Sequence, residues 1–138
     1  MLEGRTLVAG HTTGIALVLD EPLSFWGGMD PASGDLIDPH HPQRGASLMG
    51  RVLVMPSGRG SSSSSYVLAE AIRTGTAPAA IILREPDGIV ALGAIVAREL
   101  YGIHLPVIVL DAVAFGTIHN GVHLGVDARA DHARVMES

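Results

Sequence analysis

Cysteine is absent from the 138-residue chain, and so is lysine: all nine basic residues are arginine. Without thiols there is no disulfide framework, no cysteine nucleophile and no cluster or zinc held by thiolates of this chain. Without lysine there is no Schiff-base chemistry and no phosphate-loop lysine. Aromatic residues are scarce at 4%, with a single Trp and two Phe, so the core is built from Val, Ile, Leu and Ala. Positive charge is also in deficit. The net charge is −5 and the pI about 5.7, which argues against a broad nucleic-acid surface. No run reaches the 18 or so apolar residues that span a bilayer, and Met1 to Arg5 lacks the basic, then apolar, start of an export signal. The expected location is therefore the cytoplasm, with no membrane contact.

What is present is apolar. Hydrophobic residues make up 47% and the mean hydropathy is +0.35, which excludes a disordered chain. The length fits one domain, taken as residues 1–138, able to bury roughly two-thirds of its unfolded surface. So high a hydropathy in a small acidic chain predicts that a partner covers some apolar surface.

The ends read as β and turn, the middle as alternating β and α. Thr6–Ala9 and Ile15–Leu19 are short apolar runs bounded by glycine. Arg51–Met55, Ala79–Leu83 and Val107–Leu110 are buried-strand patterns. Between them lie two helical periods. The first runs from about Ser62 to Thr74 with Val67, Leu68, Ala71 and Ile72 on one face; the second presents Leu92, Ile95, Val96 and Leu100, and Gly75 and Gly102 mark the stops. A β-α-β-α-β segment implies a parallel core. Val122–Val126 and a final edge strand over Arg129–Val135 complete an α/β fold with additional β from both termini.

The sharpest local feature is Gly58-Arg59-Gly60 followed by Ser61, Ser62, Ser63, Ser64 and Ser65, after a strand and opening a helix. Glycines let backbone approach a ligand, a helix N-terminus favours an anion, and Arg59 offers a bidentate clamp for carboxylate or phosphate. Serine is also an ordinary helix cap, but a cap needs one hydroxyl and five stand here. No Walker sequence and no nucleophile elbow is present. The serines that enter the helix are expected to turn to solvent or to backbone carbonyls, leaving Ser61 at the loop mouth.

A second candidate is Pro22 to Pro31, which holds Phe25, Trp26, Gly27 and Gly28. It reads either as a packed turn with Trp26 plugging the core or as a loop lining a cleft. The histidines form no metal set: His40-His41 sits among prolines, and Gly121 interrupts His119 and His123. Asp20-Glu21, Asp127 and Asp131 read as solvated turn residues.

At these loops the chain resembles a known family. Pro22-Leu23-Ser24-Phe25-Trp26-Gly27-Gly28, Asp30-Pro31, Gly34, Ile37-Asp38, His41-Pro42, Met55-Pro56-Ser57-Gly58-Arg59-Gly60 with its serines, Gly75-Thr76-Ala77-Pro78, Gly93-Ala94 and Pro106-Val107 follow in the order of the aconitase X small subunit. The resemblance covers roughly residues 5 to 115. It implies a swivelling β/β/α domain and a two-subunit hydro-lyase, with an iron–sulfur cluster held by the large subunit and none bound by this chain alone.

The resemblance also implies Ser61 as the base and Gly58, Arg59, Gly60, Ser62, Ser63, Phe25, Trp26, Gly27 and Gly28 as substrate contacts. Gly58 and Gly60 amides would hold the carboxylate or the developing enolate. Family members dehydrate cis-3-hydroxy-L-proline or mevalonate 5-phosphate, and the Gly-Arg-Gly loop with its pure serine run resembles the former, bacterial type. The expectation is dehydration of a small hydroxy carboxylate, most closely cis-3-hydroxy-L-proline. Alternatives are the small subunit of mevalonate 5-phosphate dehydratase and a non-catalytic anion-binding module.

Overall fold

A computed structural model describes residues 1–137 and shows seven strands closed into a barrel, with helices against one side. In chain order these are β1 (Leu2–Val8), β2 (Gly10–Val18), α1 (Phe25–Gly28), β3 (Val52–Met55), α2 (Ser63–Thr74), β4 (Ala80–Leu83), α3 (Gly88–Tyr101), β5 (Val107–Val109), α4 (Ala112–Gly116), β6 (His123–Ala128) and β7 (Ala133–Glu137). The strand order around the barrel is β1-β5-β4-β3-β2-β6-β7. Strands β2 to β5 are parallel neighbours, so the expected parallel core holds and gains β2 as a fourth strand. β1, β6 and β7 add antiparallel pairings from both ends of the sequence.

The apolar runs of β3 and β4 are buried on both faces, as expected of parallel strands covered on two sides. Alternate residues divide between two cores. Val52, Val54, Ala80, Ile82 and Ile108 join Leu124, Val126, Ala133 and Val135 inside the barrel. Leu53, Met55, Ile81, Leu83 and Val107 face the other way, toward Leu68, Ile72, Val90, Ala94 and Ala97 of the helices.

The barrel closes because two strands each serve two partners. β1 pairs β7 through Leu2–Gly4 and β5 from Arg5 onward; β2 pairs β6 as far as Ile15 and β3 from Ala16. Glycines stand at both corners. A Cβ on Gly4 would lie 2.4 Å from the Val109 carbonyl oxygen, and one on Gly14 would lie 2.8 Å from that of Gly50.

Two expectations need correction. Residues 129–132 form a turn, not strand, with Arg129 N–H bonded to the His132 carbonyl, and the strand that follows is not an edge: β7 pairs both β6 and β1. The packing face of α3 is also only in part the one read from the sequence, with Ile95 and Val96 partly buried against the core. Val90, Gly93, Ala94 and Ala97 are buried, while Leu92 and Leu100 are 48% and 68% exposed. The cause is close approach: a Cβ on Gly93 would lie 2.9 Å from the Ser65 carbonyl oxygen, so only small residues fit against α2. No helix among the described residues is long and apolar enough to cross a membrane.

Candidate functional site

The serine loop lies at the carboxyl ends of the four parallel strands, where crevices form in open α/β sheets. Its approach is fixed by backbone. Arg59 N–H donates to the Leu23 carbonyl at 3.0 Å, Leu23 and Gly58 form a parallel bridge, and the Arg84 and Glu85 amides both reach the Pro56 carbonyl at 3.1 Å. The two candidate loops, Pro22–Pro31 and Gly58–Ser65, are therefore side by side.

Within the loop the five serines divide sharply. Ser61, Ser62 and Ser63 are exposed; Ser64 and Ser65 are buried. Ser62 precedes α2 in a helical conformation, and its hydroxyl makes no capping bond. The ordinary capping role is thus not what the Ser62 hydroxyl does. Ser64 and Ser65 amides close the first turn on the Ser61 and Ser62 carbonyls at 2.9 and 3.1 Å.

The expectation that the later serines turn to solvent or to backbone carbonyls holds for Ser65 and fails for Ser64. Ser24 Oγ donates to the Trp26 carbonyl at 2.9 Å, so the 3.1 Å contact between Ser24 and Ser64 takes its proton from Ser64. Ser64 Oγ in turn accepts from Trp26 N–H at 3.3 Å. One hydroxyl therefore stitches the Trp26 loop to the serine loop. Ser65 does bond a backbone carbonyl, but that of Ile89 on α3, at 2.7 Å. Gly60 lies over this network with φ +127°, and a Cβ there would meet Ser24 Oγ at 2.5 Å and Ser64 Oγ at 2.9 Å. Only glycine fits.

The aromatic pair is reversed relative to the plugged-core alternative. Phe25 is 1% exposed in the helix-side core, and Trp26 is 63% exposed with φ and ψ outside the helical region. Phe25 packs beneath the loop and is not a wall of the cleft. Gly28 is also buried, its α-carbon pressed toward Leu23, whereas Gly27, at φ +78°, has open space where a Cβ would be.

Arg59 is exposed and lies 3.9 Å from Glu21. So open a pair holds weakly and is readily exchanged for another carboxylate. Gly58 departs from its expected part: its amide already donates to Asp87 Oδ2 at 3.0 Å and is not available to hold an anion. His41, read from the sequence only as no metal ligand and as part of the His41-Pro42 motif, has a structural role. It is buried at 5%, accepts from Gln43 N–H at Nδ1 (3.0 Å) and so carries its proton on Nε2, which donates to the Glu21 carbonyl at 3.1 Å. The Gln43 amide bonds the Asp20 carboxylate at 2.8 Å. Asp20-Glu21 is thus held by the 41–43 loop beside Arg59, not simply a solvated turn. The sequence signal was there, His41 between His40 and Pro42, but its partner Glu21 is 20 residues away.

A groove of about 150 Å³ adjoins the loop, lined by Ser62, Ser65, Tyr66, Leu92 and Val96. A wider hollow, about 620 Å³, lies on the outer face of the antiparallel strands near His11, Asp127 and Arg129, toward the other end of β2. Among the described residues no group of three His, Cys, Asp or Glu side chains is gathered as a metal would require.

The chain is similar to known proteins. The family model described as the aconitase X swivel domain matches residues 1–135. A Pseudomonas aeruginosa protein named cis-3-hydroxy-L-proline dehydratase is 59% identical over 103 residues, covering 75% of this chain but only 18% of its own length. A Thermococcus kodakarensis protein named phosphomevalonate dehydratase small subunit is 37% identical over 136 residues, covering 99% of this chain and 96% of its own. The crystal structure of Thermococcus kodakaraensis aconitase X in its holo-form superposes with a TM-score of 0.84 at 37% identity, covering 99% of this chain and 98% of that one.

Proposed function

Because the chain belongs to the aconitase X swivel-domain family, we propose that it supplies the serine loop of a dehydratase acting on cis-3-hydroxy-L-proline, in complex with a large subunit. The observation that carries the substrate is the 59% identity over 103 residues to the Pseudomonas protein of that name, against 36–51% to the relatives named phosphomevalonate dehydratase small subunit. The chain spans less than a fifth of the Pseudomonas protein, so the remaining body of such an enzyme lies outside it. The exposed Trp26, Tyr66 and Leu92 around the loop support a second body seated there.

Dehydration takes a proton from the carbon α to a carboxylate and releases hydroxide from the neighbouring carbon. Ser61 is the base of this proposal. A serine hydroxyl is a weak base until its alkoxide is stabilised, and the N-terminus of α2 with the Arg59 guanidinium supplies that field. Arg59 leaves Glu21 to bind the substrate carboxylate, with Gly60, Ser62, Ser63, Trp26 and Gly27 around it. The residues of this chain do not fit an iron–sulfur cluster, since cysteine is absent and no three-residue ligand group is gathered among the described residues. The cluster is assigned to the large subunit, and no step is drawn through it.

The test is reconstitution of the chain with its large subunit and assay of both substrates. Wild type should dehydrate cis-3-hydroxy-L-proline, and Ser61→Ala should lose at least about 10²-fold in rate with the complex intact. Turnover of mevalonate 5-phosphate instead would overturn the substrate. A Ser61→Ala enzyme of full rate would overturn the base, and activity of the chain alone would overturn the two-body reading.

A further inference from the structure

Ser61 can act only if the loop that carries it is held in one place, yet its own side chain and those of Ser62 and Ser63 are exposed and make no anchoring hydrogen bond among the described residues. The anchors lie on either side. Before the loop apex, Asp87 Oδ2 accepts the Gly58 amide at 3.0 Å. After it, Ser65 Oγ donates to the Ile89 carbonyl at 2.7 Å. Both anchors belong to the first turn of α3, two residues apart in sequence. The same Asp87 carboxylate caps that turn, its Oδ1 accepting from Ile89 N–H at 2.9 Å and Val90 N–H at 3.1 Å.

We propose that the first turn of α3 is the positioning platform of the serine loop, with Asp87 as its positioning residue: the carboxylate fixes the helix with one oxygen and the loop entrance with the other, while the Ile89 carbonyl fixes the loop exit. The contact is tight. A Cβ at position 58 would lie 2.7 Å from Asp87 Oδ2 and 2.8 Å from Val90 Cγ2, so glycine at 58 is what allows the carboxylate to reach the backbone. A charged acceptor makes this a stronger tie than a neutral one. The rate role rests on Ser61 as the reacting residue; the tie itself does not.

Asp87→Asn separates the two jobs. Asparagine caps a helix about as well as aspartate, so its oxygen can keep the α3 bonds, but its NH₂ cannot accept from Gly58 N–H. In the 138-residue chain, Gly58 amide exchange should quicken about tenfold or more, while Ile89 and Val90 amides stay protected and the melting temperature holds. In the reconstituted enzyme, kcat should fall about tenfold or more with KM nearly unchanged, since small misplacements of a reacting group are costly. Ser65→Ala, which frees the exit, should show the same kcat loss.

Unchanged Gly58 exchange would overturn the tie. Faster exchange with full kcat in both variants would overturn the positioning role. Loss of Ile89 and Val90 protection with a lowered melting temperature would reduce Asp87 to an ordinary cap. Should Ser61→Ala retain full rate, the base assignment falls by that result alone, and the exchange experiment still decides the tie.

Discussion

Five adjacent serines divide into three that are exposed and two that are buried with separate partners, and only the surroundings tell them apart. Ser64 sits where two loops meet and both accepts and donates. Removing its hydroxyl strands Trp26 N–H, so Ser64→Ala should cost about 1–3 kcal/mol in urea unfolding. Ser62→Ala and Ser63→Ala, exposed and uncapping, should stay within about 0.5 kcal/mol of wild type. Equal stability of all three would mean that the Ser24–Ser64 contact is not maintained in solution. The run itself was legible as a loop needing more than a cap, and the Gly-Arg-Gly lead-in was legible as a close approach. Which serine turns inward was not, because the partners Ser24, Trp26 and Ile89 come from other segments. The same holds for Phe25 and Trp26: adjacent residues of similar hydrophobicity, one taken by the core and one left out by a backbone turn at Gly27.

Among the elements, those with a single dominant period were legible. The β-α-β-α-β order, the helix over Ser63–Thr74 and its stop at Gly75 follow from spacing and from glycine in the left-handed C-cap. Helix α3 was harder because it is apolar nearly all round, so periodicity cannot choose a face. The face is chosen by size. Gly93 and Ala94 let α3 come down onto Ser65 and Leu68, and the bulkier Leu92 and Leu100 are left outside. Gly93→Val should therefore destabilise the chain by about 1–3 kcal/mol as an overpacked contact. Leu92→Ala, which also changes the side chain by three carbons, should cost less than about 0.5 kcal/mol in the isolated chain. The reverse order in a denaturation series would show that the face read from the periodicity was the packed one after all.

For the whole molecule, the sequence pointed to parallel strands with extra β from each end, but not to closure. Closure depends on β1 and β2 each changing partner in mid-strand, and nothing in a period of two signals such a change. The glycines at the corners were visible only as turns. Gly4→Ala places a carbon against the Val109 carbonyl and the Leu110 side chain. It should lower stability by about 1–3 kcal/mol and speed amide exchange along the β1–β5 pairing first. Uniform exchange with an unchanged melt would mean that the corner can relax around a methyl group.

A sheet that returns to its own first strand offers no open row of amides and carbonyls to a stranger. With β7 paired on both sides, none of the seven strands is an edge. Attachment by strand addition, the commonplace way for sheets to recruit peptides or to aggregate, is thereby closed to this domain. Whatever binds it must grip side chains and loops, and those nearest the serines are the exposed Trp26, Tyr66 and Leu92. A peptide built to mimic a β-strand should not compete with such a partner, whereas a change at any of those three side chains should.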